Sequence, residues 1–90
     1  MTKVRFTAAL TRFFPGLKEL NVEGSTVQEV LDQVSSEMPG IANYLLEEDG
    51  SLRKHVNIFV KDRLIKDRNT LSDKVHSQDE ILIYQALSGG

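Results

Sequence analysis

Thr26-Val27-Gln28-Glu29-Val30-Leu31-Asp32-Gln33-Val34-Ser35-Ser36-Glu37-Met38-Pro39-Gly40 is the segment on which the fold turns. Thr26 and Glu29 stand at capping-box spacing: the hydroxyl accepts from the amide of the third helical residue while the carboxylate reaches back to the cap amide. Val27, Val30, Leu31, Val34 and Met38 fall at i, i+3, i+4, i+7 and i+11, one stripe of a helical period. Pro39-Gly40 stops the run. The spacing predicts one amphipathic helix that needs an apolar surface to cover.

The surrounding segments supply that surface. Val4, Phe6 and Ala8 alternate with Lys3, Arg5 and Thr7, the pattern of a strand with one buried face. Pro15-Gly16 marks a turn, and Leu20 and Val22 a second strand ending near Gly24, so the opening third reads as a β-hairpin. Its connection carries Leu10, Phe13 and Phe14, apolar for a loop; a flap over one end of the core is expected, with a docking surface as the competing reading. After the helix, Ile41, Tyr44, Leu45 and Leu46 predict a partial helical turn, and Glu47-Glu48-Asp49-Gly50 an exposed loop. Val56, Ile58 and Val60 form a third strand alternating with Asn57 and Phe59. Leu64-Ile65 reads as a short edge strand, Thr70-Leu71-Ser72-Asp73 as a turn, and Ile81 to Ala86 as a central strand.

The order β-β-α-β-(β)-β describes an α+β fold: a mixed sheet of four to five strands with one long helix across one face. Val4, Phe6, Val22, Val30, Leu31, Val34, Val56, Ile58, Ile81 and Ile83 are the expected core. If Ile81 and Ile83 point inward, Leu82 and Tyr84 point outward. Phe59 is outward on the neighbouring strand and Leu64 extends the patch, so these four residues are the candidate partner-binding surface. The competing reading is that Phe59 and Tyr84 only cover the sheet as a cross-strand pair.

Length and composition bound the function. Ninety residues make one domain, assigned to residues 1–86 with a flexible tail at 87–90. With no cysteine there is no disulfide, thiolate metal site or cysteine nucleophile, and a reducing cytosol is compatible with the sequence. The 11 basic and 13 acidic residues are interspersed, which argues against the basic stripe of a nucleic-acid binder. No apolar run matches a signal peptide or a membrane span. The expectation is a soluble cytoplasmic protein with no nucleic-acid or membrane partner.

Converging catalytic groups are scarce. His55 and His76 lack a nearby His or Cys at ligand spacing, so no metal site is expected. Glu47-Glu48-Asp49 and Asp79-Glu80 read as solvated turns. Lys61 to Arg68, alternating in sign, reads as a solvated hairpin, with a charged docking rim as the alternative. No phosphate loop or nucleophile elbow is found. What remains is Gly89-Gly90. Taken as the end of the chain, this pair presents only backbone, able to thread a channel too narrow for a Cβ, and a carboxylate at its tip.

The ending Ile81-Leu82-Ile83-Tyr84-Gln85-Ala86-Leu87-Ser88-Gly89-Gly90 resembles that of the small ubiquitin-like sulfur carriers, the MoaD/ThiS family: an apolar last strand, a short apolar tail and Gly-Gly. Ser77-Gln78-Asp79-Glu80 occupies the place of the family's Asp-Gly-Asp-type turn, without its glycine, and Gln85 stands where many members carry proline. His55 to Val60 resembles the third strand of the cysteine-forming carriers of actinobacteria, and Ile58 to Asp73 is similar to ubiquitin's strand, hairpin and Thr-Leu-Ser-Asp turn. The resemblance covers nearly the whole chain and implies the β-grasp fold. It further implies that a ubiquitin-activating-type partner uses ATP to adenylate the Gly90 carboxylate, that a sulfur donor converts it to a thiocarboxylate, and that a biosynthetic enzyme accepts the sulfur. Ala86, Leu87, Ser88 and Gly89 would be the threading tail. The chain itself would bind no cofactor, have no turnover of its own and be a monomer when free. Two alternatives stand beside this: a protein modifier conjugated through Gly90 to lysines, and a non-covalent β-grasp interaction module.

Overall fold

The computed structural model describes residues 1–85 except Pro15 and Lys18, and not the side chains of Ala9 and Phe13. Strand β1 (Thr2–Phe6) leads into helix α1 (Ala8–Phe13) and then strand β2 (Leu20–Val22). Helices α2 (Val27–Glu37) and α3 (Ile41–Leu45) follow, then strands β3 (Val56–Val60), β4 (Arg63–Leu64) and β5 (Glu80–Gln85).

Helix α2 forms where its spacing predicts. Thr26 is the N-cap, in extended backbone, and its Oγ1 accepts from the Glu29 amide at 3.2 Å. The reciprocal arm differs in its target: Glu29 Oε1 accepts from the Ser25 amide at 2.8 Å, one residue upstream of the cap. Two more orphan amides of the first turn find partners in a distant loop, Val27 N on Asp73 O at 3.0 Å and Gln28 N on Leu71 O at 2.9 Å. At the other end, Gly40 adopts φ 95°, a left-handed turn open to glycine, and sends the chain into α3.

The sheet has five strands in the order β2-β1-β5-β3-β4. β1 and β5 run parallel; the other pairs are antiparallel. Val4 and Val60 flank Ile81, and Phe6 and Ile58 flank Ile83, giving two inward rows that β5 joins at the sheet's centre. These rows and the α2 stripe of Val27, Val30, Leu31 and Val34 form one apolar core. A long helix held against a mixed sheet with parallel first and last strands is the β-grasp arrangement.

Two expectations need correction. The connection between β1 and β2 is not a loop: it contains α1, whose Leu10 is fully buried, while Phe14 packs at the core's margin. Leu10 and Phe14 turn inward as a flap would, but from a helix and its C-cap. Phe6, expected in the core, is only half-buried because it lies at the end of its strand. The core also recruits Leu17, Ile41, Leu45, Leu52, Ile65, Leu71 and Val75, all from turns and short elements without a readable period.

Candidate functional site

The sheet's other face is open, and side-chain alternation decides what it shows. Register aligns Leu64, Phe59, Leu82 and Arg5 in one row across β4, β3, β5 and β1. Phe59 and Leu82 are half-buried; Leu64 is 50% exposed and Tyr84 40%. The four residues expected to point outward do so and adjoin one another. The competing reading, a Phe59–Tyr84 cross-strand pair, does not hold: Phe59 faces Leu82, and Tyr84 faces Asn57. Phe59 and Tyr84 are therefore diagonal neighbours, and neither ring covers the other directly. Asn57 is held by Arg68, whose Nη1 donates to Asn57 Oδ1 at 3.1 Å while Nη2 donates to Arg53 O at 2.6 Å.

Polar residues edge this apolar row. Arg5 Nη1 donates to Glu80 Oε1 at 3.0 Å, and its Nε lies 3.5 Å from Glu19 Oε2, while Lys3 Nζ lies 3.8 Å from Glu19 Oε1. The hydrogen bond and charge of Glu80, with the charge of Glu19, raise the Arg5 pKa. A depression of about 620 Å³ is lined by Arg5, Phe59, Lys61, Asp62, Gln78, Glu80 and Leu82. Arg5 was not singled out from sequence, although its alternation with Val4 and Phe6 carried the signal: it shares the outward face with Leu82.

The remaining candidates do not converge. His55 precedes β3 and His76 lies on the loop before β5, both exposed. Glu47 pairs with Arg53 at 3.2 Å, and Asp49 accepts from Ser51. Asp79 is not solvated as expected: it is buried, and its Oδ2 accepts from the His76 amide at 2.8 Å, closing the turn before β5. Among the described residues no group of three or more His, Asp and Glu could hold a metal ion. None of the described helices is long and apolar enough to cross a membrane. Ala86, Leu87, Ser88, Gly89 and Gly90 lie outside the described residues, so the tail is represented only by its root at Gln85. At that root the buried Gln85 Oε1 and Thr7 Oγ1 have no hydrogen-bond partner among the described residues.

Fold and open face together define a ubiquitin-like β-grasp protein with an apolar sheet surface. A family model described as the ThiS family matches residues 4–90. The chain belongs to the ThiS family. It is 30% identical over 88 residues to an Archaeoglobus fulgidus protein named as a sulfur carrier, covering 98% of this chain and 97% of that one. It is also similar to a crystal structure of the Amycolatopsis orientalis BexX/CysO complex, with 29% identity, full coverage of both chains and a TM-score of 0.85. The small archaeal modifier protein 1 of Methanosarcina acetivorans is 26% identical with a TM-score of 0.80, covering 99% of this chain and 95% of that one.

Proposed function

We propose that this chain is a sulfur carrier whose reactive group is the carboxylate of Gly90, and that its catalysts are its partners. The observation that carries the reading is the family match, which runs from β1 through Gly89 and Gly90. The strand nearest that pair, β5, is the central one of the sheet, so the tail springs from the most firmly held element.

The chemistry follows from what a carboxylate lacks. As an acyl donor it is poor, because its leaving group would be an oxide. In the proposed sequence a Gly90 carboxylate oxygen attacks the α-phosphorus of ATP and pyrophosphate leaves. Sulfide released by the donor then attacks the acyl carbon of the adenylate, AMP departs and the sulfur loses its proton, giving the thiocarboxylate. A biosynthetic enzyme draws the sulfur from there. ATP is used by a ubiquitin-activating-type enzyme and is not bound by the carrier alone. Phe59, Leu64, Leu82 and Tyr84 are the surface on which that enzyme docks, since adjoining outward-facing apolar side chains suit a partner. Ala86 to Gly89 supply the slender backbone that reaches its active site.

A second reading is favoured by the similarity to the archaeal modifier: the same adenylate passed to lysine amines as an isopeptide. Both share the first step. A chain lacking Gly89 and Gly90, mixed with its host's activating enzyme, should therefore lose ATP–pyrophosphate exchange. Exchange and biological activity equal to those of the full chain would leave the non-covalent interaction module as the better description.

A further inference from the structure

A second depression, of about 310 Å³, lies beside the β3–β4 hairpin; Leu64 joins it to the apolar row, and Lys61 lines both depressions. Lys61, Arg63, Lys66 and Lys74 converge on it. In a chain of net charge −2, four of the eleven bases share this one hollow. Among the described residues none of the four is in an ion pair, whereas Lys3, Arg5 and Arg53 each have a carboxylate partner. Two carboxylates also line the hollow, but backbone amides engage both. Asp73 accepts from the Lys66 and Asp67 amides at 2.8–3.1 Å, and Asp79 from the His76 amide at 2.8 Å. Asp62, between Lys61 and Arg63, lines the depression on the open face instead.

The hairpin that carries two of the bases turns on uncommon residues. Lys61 and Asp62 have φ 49° and 69°, the paired left-handed conformation of a two-residue hairpin loop, where Asn-Gly is the usual occupant. A conformation that disfavours side chains is here occupied by two charged ones. Charge on an edge strand discourages strand pairing. That role accounts for Arg63 on β4 but not for Lys66 and Lys74, which lie outside any strand.

We infer that this hollow is a docking site for an acidic segment of a protein partner. Its size admits a few side chains, and among the described residues His76 is the one ring in its lining, too little for the run of stacked bases that a nucleic acid takes. Leu64 makes it continuous with the apolar row, so a partner seated on the sheet face can wrap the β4 edge and place carboxylates among the four bases. Such charges contribute mainly to encounter rate and partner choice, and are screened by salt. The inference is independent of the chemistry at Gly90.

The test uses the full chain, ¹⁵N-labelled, titrated with a hexaglutamate peptide at low and high salt. Perturbed amides should cluster at Lys61, Arg63–Lys66 and Lys74–His76 and recover as salt is added. A Lys66→Glu, Lys74→Glu variant should bind at least about tenfold more weakly, while the charge-matched Arg12→Glu, Lys54→Glu variant stays within about twofold. Should the Glu variant lose its dispersed spectrum, Lys66→Gln, Lys74→Gln tests the same loss without charge reversal. Equal weakening in the two charge-matched variants, perturbations scattered over all exposed bases, or tighter binding of a six-nucleotide oligothymidylate through these residues would overturn the inference. Each outcome is read without any tail chemistry, so it is separable from failure of the carrier reading.

Discussion

Asp67 ties a loop together from a single carboxylate. It accepts from the amides of Asn69, Thr70 and Ser72 and from the hydroxyls of Thr70 and Ser72. The Ser72 hydroxyl, then the donors of Thr70, hold its pKa well below the usual carboxylate range. The loop matters because Leu71 and Asp73 offer their carbonyls to the first turn of α2. Since the folded pKa lies below the unfolded value of about 3.9, the stability Asp67 contributes is fully present above that pH and is lost as pH falls below it. Asp67→Asn should therefore be less stable than wild type at neutral pH, with the gap in unfolding midpoint narrowing below about pH 4. A gap constant from neutrality to pH 2 would show that the charge is irrelevant. Gly24 makes a different residue-level point: a Cβ there would lie 3.0 Å from Val30 Cγ2 and 3.0 Å from Val30 N. Gly24→Ala should cost about 1–3 kcal/mol by overpacking, measured by denaturant melts. The capping box was legible because both its residues are near neighbours; the Asp67 network was not, because its geometry needs Leu71 at φ 59°.

Elements were legible in proportion to their length and period. α2 repeats its apolar stripe over three turns, β3 alternates, and β5 is a continuous β-rich apolar run, so each could be placed from its own residues. α1 could not. Leu10, Phe13 and Phe14 stand at i, i+3 and i+4, but the helix has six residues, no side-chain cap and a Pro-Gly turn close behind, cues that favour a loop. Only tertiary burial of Leu10 makes it stable. The outward set Phe59, Leu64, Leu82 and Tyr84 followed from alternation, whereas the pairing of Phe59 with Leu82 depends on register, which spacing within one strand does not carry. Leu31→Ala should cost about 2–5 kcal/mol, and Leu10→Ala a comparable amount if α1 belongs to the same core. An unfolding midpoint unchanged from wild type in either variant would remove that residue from the core.

At the level of the molecule, one sheet divides the labour: an inner face supplies stability, an outer face offers an apolar surface, and the central strand leads to Gly89-Gly90. The outer face should therefore be separable from the fold. A Phe59→Ala, Tyr84→Ala double variant should melt cooperatively like wild type yet be adenylated at least about tenfold more slowly, as loss of central aromatic anchors commonly entails. A normal adenylation rate would move the docking surface elsewhere. The most direct test is mass spectrometry of the full chain after incubation with its host's activating enzyme, ATP and a sulfide source. The C-terminal fragment ending at Gly90 should gain about 16 Da and take up an alkylating agent at that terminus, which oxidation of Met1 or Met38 would not reproduce. An adenylated but sulfur-free Gly90, or one joined only to lysine amines, would contradict the carrier reading.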